Sequence, residues 1–228
     1  MNALLLSRMI FFGAVALSFP LAAVAVFGVG TDRHATADVL SVVYGFGIAI
    51  GLTTSFWPLA CLRAWDRRRR LESLVLMFLG MSYFTHLTWE LAWLLLHKTI
   101  AVSPDAPWAY AWWAYIDGGD ARYAHPSSTL LGMEILSVTN GLVGATALTR
   151  FLRSGRADRT AVLVMAGTAV VHLYSASLYY LSELLEGLPN VNTHSFVGLW
   201  IKFFFANLPW IVVPPCVFVW ARDKLALK

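Results

Sequence analysis

Two carboxylates, an imidazole and an ammonium stand inside stretches that are otherwise apolar: Glu90 and Glu134, His86, and Lys202. Four residues separate His86 from Glu90, which puts both side chains on one helix face. Tyr83, Trp93 and His97 fall on the same stripe, Ser137 follows Glu134 at i+3, and Asn207 precedes Trp210 by one turn. A further stripe carries His172, Ser175, Tyr179 and Ser182. Of two carboxylates in apolar surroundings, one can hold a proton and act as an acid while the other acts as a base. An aromatic face stabilises a cation through its quadrupole. Together these groups suit protonation of an alkene, followed by proton loss from a neighbouring carbon, on a greasy substrate. Such a reaction calls for no cofactor and no metal. The chain has no His-Glu-x-x-His, G-x-S-x-G, P-loop or G-x-G-x-x-G pattern, which turns the reading away from hydrolysis and nucleotide chemistry.

The elements that must carry these residues follow from composition. Of 228 residues 58% are hydrophobic and only 13% charged, and mean hydropathy is +0.64. Soluble domains carry about 25% charged residues, so this chain cannot wet a globular surface. An all-α, polytopic membrane bundle is expected. A spanning helix needs about 20 apolar residues for a core ~30 Å thick. Six stretches qualify: Met9–Gly30, Val39–Leu62, Ser73–His97, Ser127–Thr149, Thr160–Ser182 and Ser195–Ala221. The net charge of +4 lies in short blocks between them, a topological pattern that offers no face to nucleic acid. Cys61 and Cys216 sit within apolar runs and read as free thiols.

Arg8, Arg63, Arg67–Arg70, Arg150, Arg153, Arg156, Arg159, Arg222, Lys224 and Lys228 fall on one side of this alternation, against only Arg33, Lys98 and Arg122 on the other. The positive-inside rule then puts both termini in the cytoplasm. The first stretch reads as a retained helix, since its apolar run exceeds the usual signal-peptide core. The outer loop between Lys98 and Pro126 is rich in Trp and Tyr, an interfacial belt or a lid. Counting from the ends of the runs at ~1.5 Å per residue, Glu90, Glu134 and Lys202 all lie roughly 10 Å below the outer interface, which suggests one shared site. On that footing Lys202 either snorkels toward the outer interface or faces Glu90 or Glu134, and if it is paired, removing the lysine would shift the pH optimum upward.

His86-Leu-Thr-Trp-Glu90, Gly119-Asp120-Ala121-Arg122-Tyr123, Met133-Glu134 and Asn207-Leu-Pro-Trp210 occur in the order found in the emopamil-binding protein (EXPERA) family, as do Tyr174–Tyr179 and Glu183–Gly187. The chain resembles that family from about residue 37 to its C-terminus. The resemblance implies a five-helix EXPERA-type domain over residues 37–228, preceded by an extra N-terminal transmembrane helix and loop over residues 1–36. It implies proton transfer by His86, Glu90 and Glu134, with Asn207 and Trp210 completing the catalytic set and Trp210 facing the cationic carbon. Tyr83, Trp93, Tyr115, Tyr123, Met133, Ser137, Tyr179 and Lys202 would bind substrate. Three departures stand out: Ala176 replaces an acidic residue, Lys202 an aromatic, and one residue is inserted between Tyr115 and Tyr123.

The expected activity is a membrane isomerase that shifts a carbon–carbon double bond, as the family's Δ8–Δ7 sterol isomerases do, in a sterol or a terpenoid. A non-catalytic binder or chaperone of sterols or lipophilic amines, and an acid-type terpenoid cyclase, are the alternatives. Retention of all three protonic residues favours the isomerase. The partners implied are the hydrophobic substrate and the bilayer, with oligomeric state open between monomer and homodimer. Arginine-rich loops and abundant Ala and Val suggest a bacterial inner membrane, or the endoplasmic reticulum in a eukaryote.

Overall fold

A computed structural model describes residues 3–226. Lys228, counted above with the tail, lies outside them. Among the described residues there are helices and no strands. Besides short 3-10 turns they are, in chain order, α1 (Ala3–Ala23), running on as a π-helix over Val24–Val29; α2 (Arg33–Thr53); α3 (Arg67–Thr85), a π-helical stretch His86–Glu90 and α4 (Leu91–Ala101); α5 (Tyr110–Ile116); α6 (Ser128–Arg153); α7 (Arg159–Leu185); a π-helical stretch Val197–Phe205; α8 (Pro209–Val212); and α9 (Pro214–Ala226).

Helix starts and stops have local causes. The Asp32, Asp66 and Asp158 carboxylates accept from the backbone N–H of Ala35, Arg69 and Ala161, capping α2, α3 and α7 at 2.8, 2.8 and 2.9 Å. Gly30 ends the first helical run in the left-handed region, at φ +83°.

Five helical runs are long and apolar enough to cross a bilayer: Ala3–Val29, Arg33–Phe56, Ser128–Arg153, Arg159–Leu185 and Val197–Ala226. The protein is an integral membrane protein built as a helical bundle. Large apolar side chains stand exposed along these runs, such as Leu21 at 65%, Leu142 at 61% and Leu163 at 57%, as lipid-facing residues do. The expected span 73–97 is helical within 67–101, yet it is less apolar than the five because it carries Thr85, His86, Thr88 and Glu90.

The chain forms two compact units. The first takes the residues up to Ala64, Leu96–Ser127 and Glu183–Asn207; the second takes Trp65–Leu95, Ser128–Ser182 and the residues from Leu208 on. In the first unit α1 and α2 pack closely. A Cβ on Gly51 would lie 2.2 Å from the Phe11 ring, so only glycine admits that side chain. Ala22, Ala37, Leu40, Tyr110 and Ala114 form a buried cluster joining α1, α2 and α5. In the second unit Val75, Phe78, Leu79, Met165, Phe151 and Trp220 are buried among α3, α6, α7 and α9. There Glu72 binds both Arg156 (2.9 Å) and Lys224 (2.7 Å).

Candidate active site

The second unit holds the protonic residues. The π-helical turn His86–Glu90 lies between two α-helices. Its extra residue per turn re-aims side chains, as π-bulges at functional sites commonly do. His86 Nδ1 and Glu90 Oε2 lie 2.5 Å apart. The His86 side chain is 4% exposed and that of Glu90 13%, so the carboxylate is the member of the pair open to a reactant. His86 Nε2 lies 3.0 Å from Ser82 Oγ and 3.1 Å from His172 Nε2. Ser82 accepts from the indole N–H of Trp210 at 2.7 Å, which fixes that ring with its centroid 6.2 Å from the His86 ring.

Helix α6 reaches this cluster through two glycines. A Cβ on Gly141 would stand 2.6 Å from His86 Cβ, and one on Gly144 would stand 2.2 Å from the Tyr83 ring. Pairing Gly144 with Tyr83 and Gly141 with His86 makes the two runs antiparallel. That register sets Ser137 level with Glu90, and Glu134 three residues, ~4.5 Å, further along, near the level of Trp93. Along the paired runs Glu90 and Glu134 therefore differ in level by a little under one turn. Counting from the ends of apolar runs could not supply this register. Glu134 is 5% exposed and Met133 4%, while Ser137 is half-buried. Tyr83 exchanges a 2.6 Å hydrogen bond with Thr168, whose carbonyl oxygen accepts from the Asn140 amide at 3.1 Å. Trp93 and Tyr179 are buried in the same unit.

The remaining expected site residues belong to the first unit. The Asn207 amide donates to the Tyr115 hydroxyl at 3.2 Å, and the Tyr115 and Tyr123 rings meet edge to face at 5.5 Å. Lys202 is buried, and its ammonium binds Asp38 Oδ1 at 2.9 Å and donates to the Asp117 carbonyl oxygen at 2.8 Å. The expected partner, Glu90 or Glu134, is thus corrected to Asp38. An apolar-run criterion placed Asp38 outside the spans, whereas α2 begins at Arg33 and includes it. The Gly119–Tyr123 motif has a structural explanation. Arg122 bridges the fully buried Asp120 (2.7 Å) and Glu183 (3.2 Å), and Glu183 also accepts from the Asn190 backbone N–H at 2.7 Å.

Sequence reasoning gave no role to Ser82, Thr168, Asn140 or either glycine, and named His172 only as part of a stripe. Ser82 precedes His86 by four residues, the one signal that could have found it.

This geometry can be set beside known proteins. Residues 107–221 match the model of EXPERA, the expanded EBP superfamily. The chain belongs to the EXPERA family. The matched EXPERA segment includes Glu134, Lys202, Asn207 and Trp210, and begins after His86–Glu90. Among EXPERA relatives, a 3-beta-hydroxysteroid-Delta(8),Delta(7)-isomerase of Mus musculus is 28% identical over 74% of this chain and 72% of its own length. The protein of the same name from Cavia porcellus is 26% identical over 79% and 75%. An isomeliandiol synthase of Melia azedarach is 26% identical over 50% of this chain and 51% of its own length.

Proposed function

We propose that this protein is a membrane isomerase that moves a carbon–carbon double bond in a sterol or terpenoid by protonation and deprotonation. The observation that carries the reading is the Glu90–His86 pair, more exposed at the carboxylate than at the imidazole, in the same apolar unit as the buried Glu134. A neutral carboxyl delivers a proton to one alkene carbon, and the π electrons form the new C–H bond. A carboxylate then removes a proton from the carbon on the other side of the cation, and that C–H pair becomes the new π bond. His86 and Glu90 share one of these duties and Glu134 takes the other. The indole face of Trp210, held by Ser82, is suited to the cation between the two steps.

The named activities of the relatives support this class, and the Melia azedarach relative supports keeping terpenoids beside sterols. In this reading Tyr83, Trp93, Met133, Ser137 and Tyr179 of the second unit receive the hydrocarbon, residues 37–228 form the catalytic domain, and both termini face the cytoplasm. The test is incubation of purified protein with candidate sterols and triterpenoids in deuterated water. A rearranged alkene carrying deuterium at a single carbon is expected. Unchanged substrates that nonetheless bind tightly would identify a carrier instead.

A further inference from the structure

The buried cluster around Ser82 leaves few ways to arrange its protons. An indole N–H can only donate, so the Ser82 oxygen accepts it from Trp210 at 2.7 Å. His86 Nε2 and His172 Nε2 each lie 3.0 Å from that oxygen and 3.1 Å from each other. Two imidazole nitrogens at that separation share one proton, because two would repel and none would set lone pair against lone pair. The far side of each ring decides which nitrogen carries it. His86 Nδ1 faces the Glu90 carboxylate at 2.5 Å, an acceptor for its proton. His172 Nδ1 is buried with no hydrogen-bond partner among the described residues. A bare ring nitrogen is tolerated there better than an N–H with nothing to receive it. His172 therefore carries its proton on Nε2, His86 Nε2 is the acceptor, and the His86 proton sits on Nδ1.

We propose that His172 is a positioning residue for the isomerase reaction: by donating from Nε2 to His86 Nε2, with Ser82 beside it, it holds His86 as the Nδ1–H tautomer and confines proton exchange of that imidazole to Glu90. Its own bare Nδ1 ends the chain of hydrogen bonds, so His172 passes no proton onward. The ring is pinned for this task. It lies 5.2 Å from the His86 ring and 5.9 Å from the Tyr83 ring, both at 35°, with Phe78 edge-on at 5.6 Å. The Tyr83–Thr168 bond, one turn earlier on α7, ties α7 to α3 beside it. The kinetic consequence rests on the isomerase reading above; the tautomer assignment does not.

The first measurement is spectroscopic and needs no substrate. In protein labelled with ¹⁵N-histidine in detergent micelles, ring signals are assigned by their loss in His86→Asn and His172→Gln. The wild type should show His86 protonated at Nδ1, His172 at Nε2, and a nitrogen–nitrogen coupling across the hydrogen bond between the two Nε2 atoms. A His86 proton on Nε2, or a His172 proton on Nδ1, would overturn the proposal. The second measurement is kinetic, on whichever alkene is turned over. His172→Phe should lower kcat about tenfold with KM within about twofold, a smaller loss than removing an acid or base itself. His172→Gln, which offers an amide N–H in place of Nε2–H, should recover most of it. Full activity in His172→Phe overturns the positioning role. Absence of any turnover by the wild type would refute the isomerase reading, and the tautomers would then decide the proposal alone.

Discussion

At the scale of single residues, the two carboxylates differ in setting and should fail in the same way when neutralised. Glu90→Gln and Glu134→Gln keep shape and hydrogen bonding but lose the transferable proton. Each should lower isomerase activity by about 10²-fold or more while insertion into the membrane stays normal. Radiometric or mass-spectrometric turnover assays check this; full activity in either variant would make that carboxylate structural. Lys202 calls for the opposite treatment. Its charge is answered by Asp38, which is 43% exposed, while the lysine side chain itself is 2% exposed. Removing the lysine deletes the buried charge together with its burial cost. Removing Asp38 strands an ammonium in a poorly hydrated place, which costs up to ~3–5 kcal/mol when a pair is fully buried and less here because the carboxylate is partly solvated. Asp38→Asn should therefore lower the melting temperature in detergent by several degrees, more than Lys202→Met does. The pH–rate profile of Lys202→Met should overlay that of the wild type, since neither protonic carboxylate is its partner.

At the scale of elements, the active site depends on how closely α6 approaches the π-helical turn. Gly141 and Gly144 are the contact points, with His86 Cβ and the Tyr83 ring in the space a methyl group would need. Gly132, on the same helix, has open space around its Cα. Gly144→Ala should destabilise the protein by about 1–3 kcal/mol through overpacking and displace Tyr83 from Thr168. Gly132→Ala should be neutral or stabilising by up to ~1 kcal/mol, because alanine is the better helix former. Comparing thermal unfolding of the two variants separates close packing from helix propensity. Equal melting temperatures would mean that α6 does not need its glycines. The π-helical turn matters in the same way. With Ser82, His86 and Glu90 at successive four-residue spacings across it, one side of a single helical run presents the hydroxyl, the imidazole and the carboxylate to the same cluster.

At the scale of the whole molecule, the arginine-rich segments Arg67–Arg70 and Arg150–Arg159 should be cytoplasmic and Trp108–Tyr123 should face the other side. Single cysteines placed in these segments should label from opposite faces of sealed vesicles, and labelling of all of them from one face would refute the six-span arrangement. Much of this level was legible in the chain itself. Apolar runs of bilayer length have few folded alternatives, because in lipid every backbone N–H and C=O must be paired within its own helix. Hence the helical, membrane-embedded class, the approximate spans and the i,i+4 pairing of His86 with Glu90 follow from residue types and spacing alone. The resemblance carried by Asn207–Trp210 and Met133–Glu134 likewise lies in local order. Contacts between helices do not follow in this way, since they depend on register and rotation, which apolar periodicity leaves free. Only the tertiary structure could pair Lys202 with Asp38, set Glu134 a little under one turn away from Glu90, and bring His172, some 86 positions from His86 in sequence, to within 3.1 Å of it. The physical reason is that two glycines on α6 and a buried serine on α3 decide which faces meet. A small residue specifies a contact by what it leaves room for, and that shows only when its neighbour is in place.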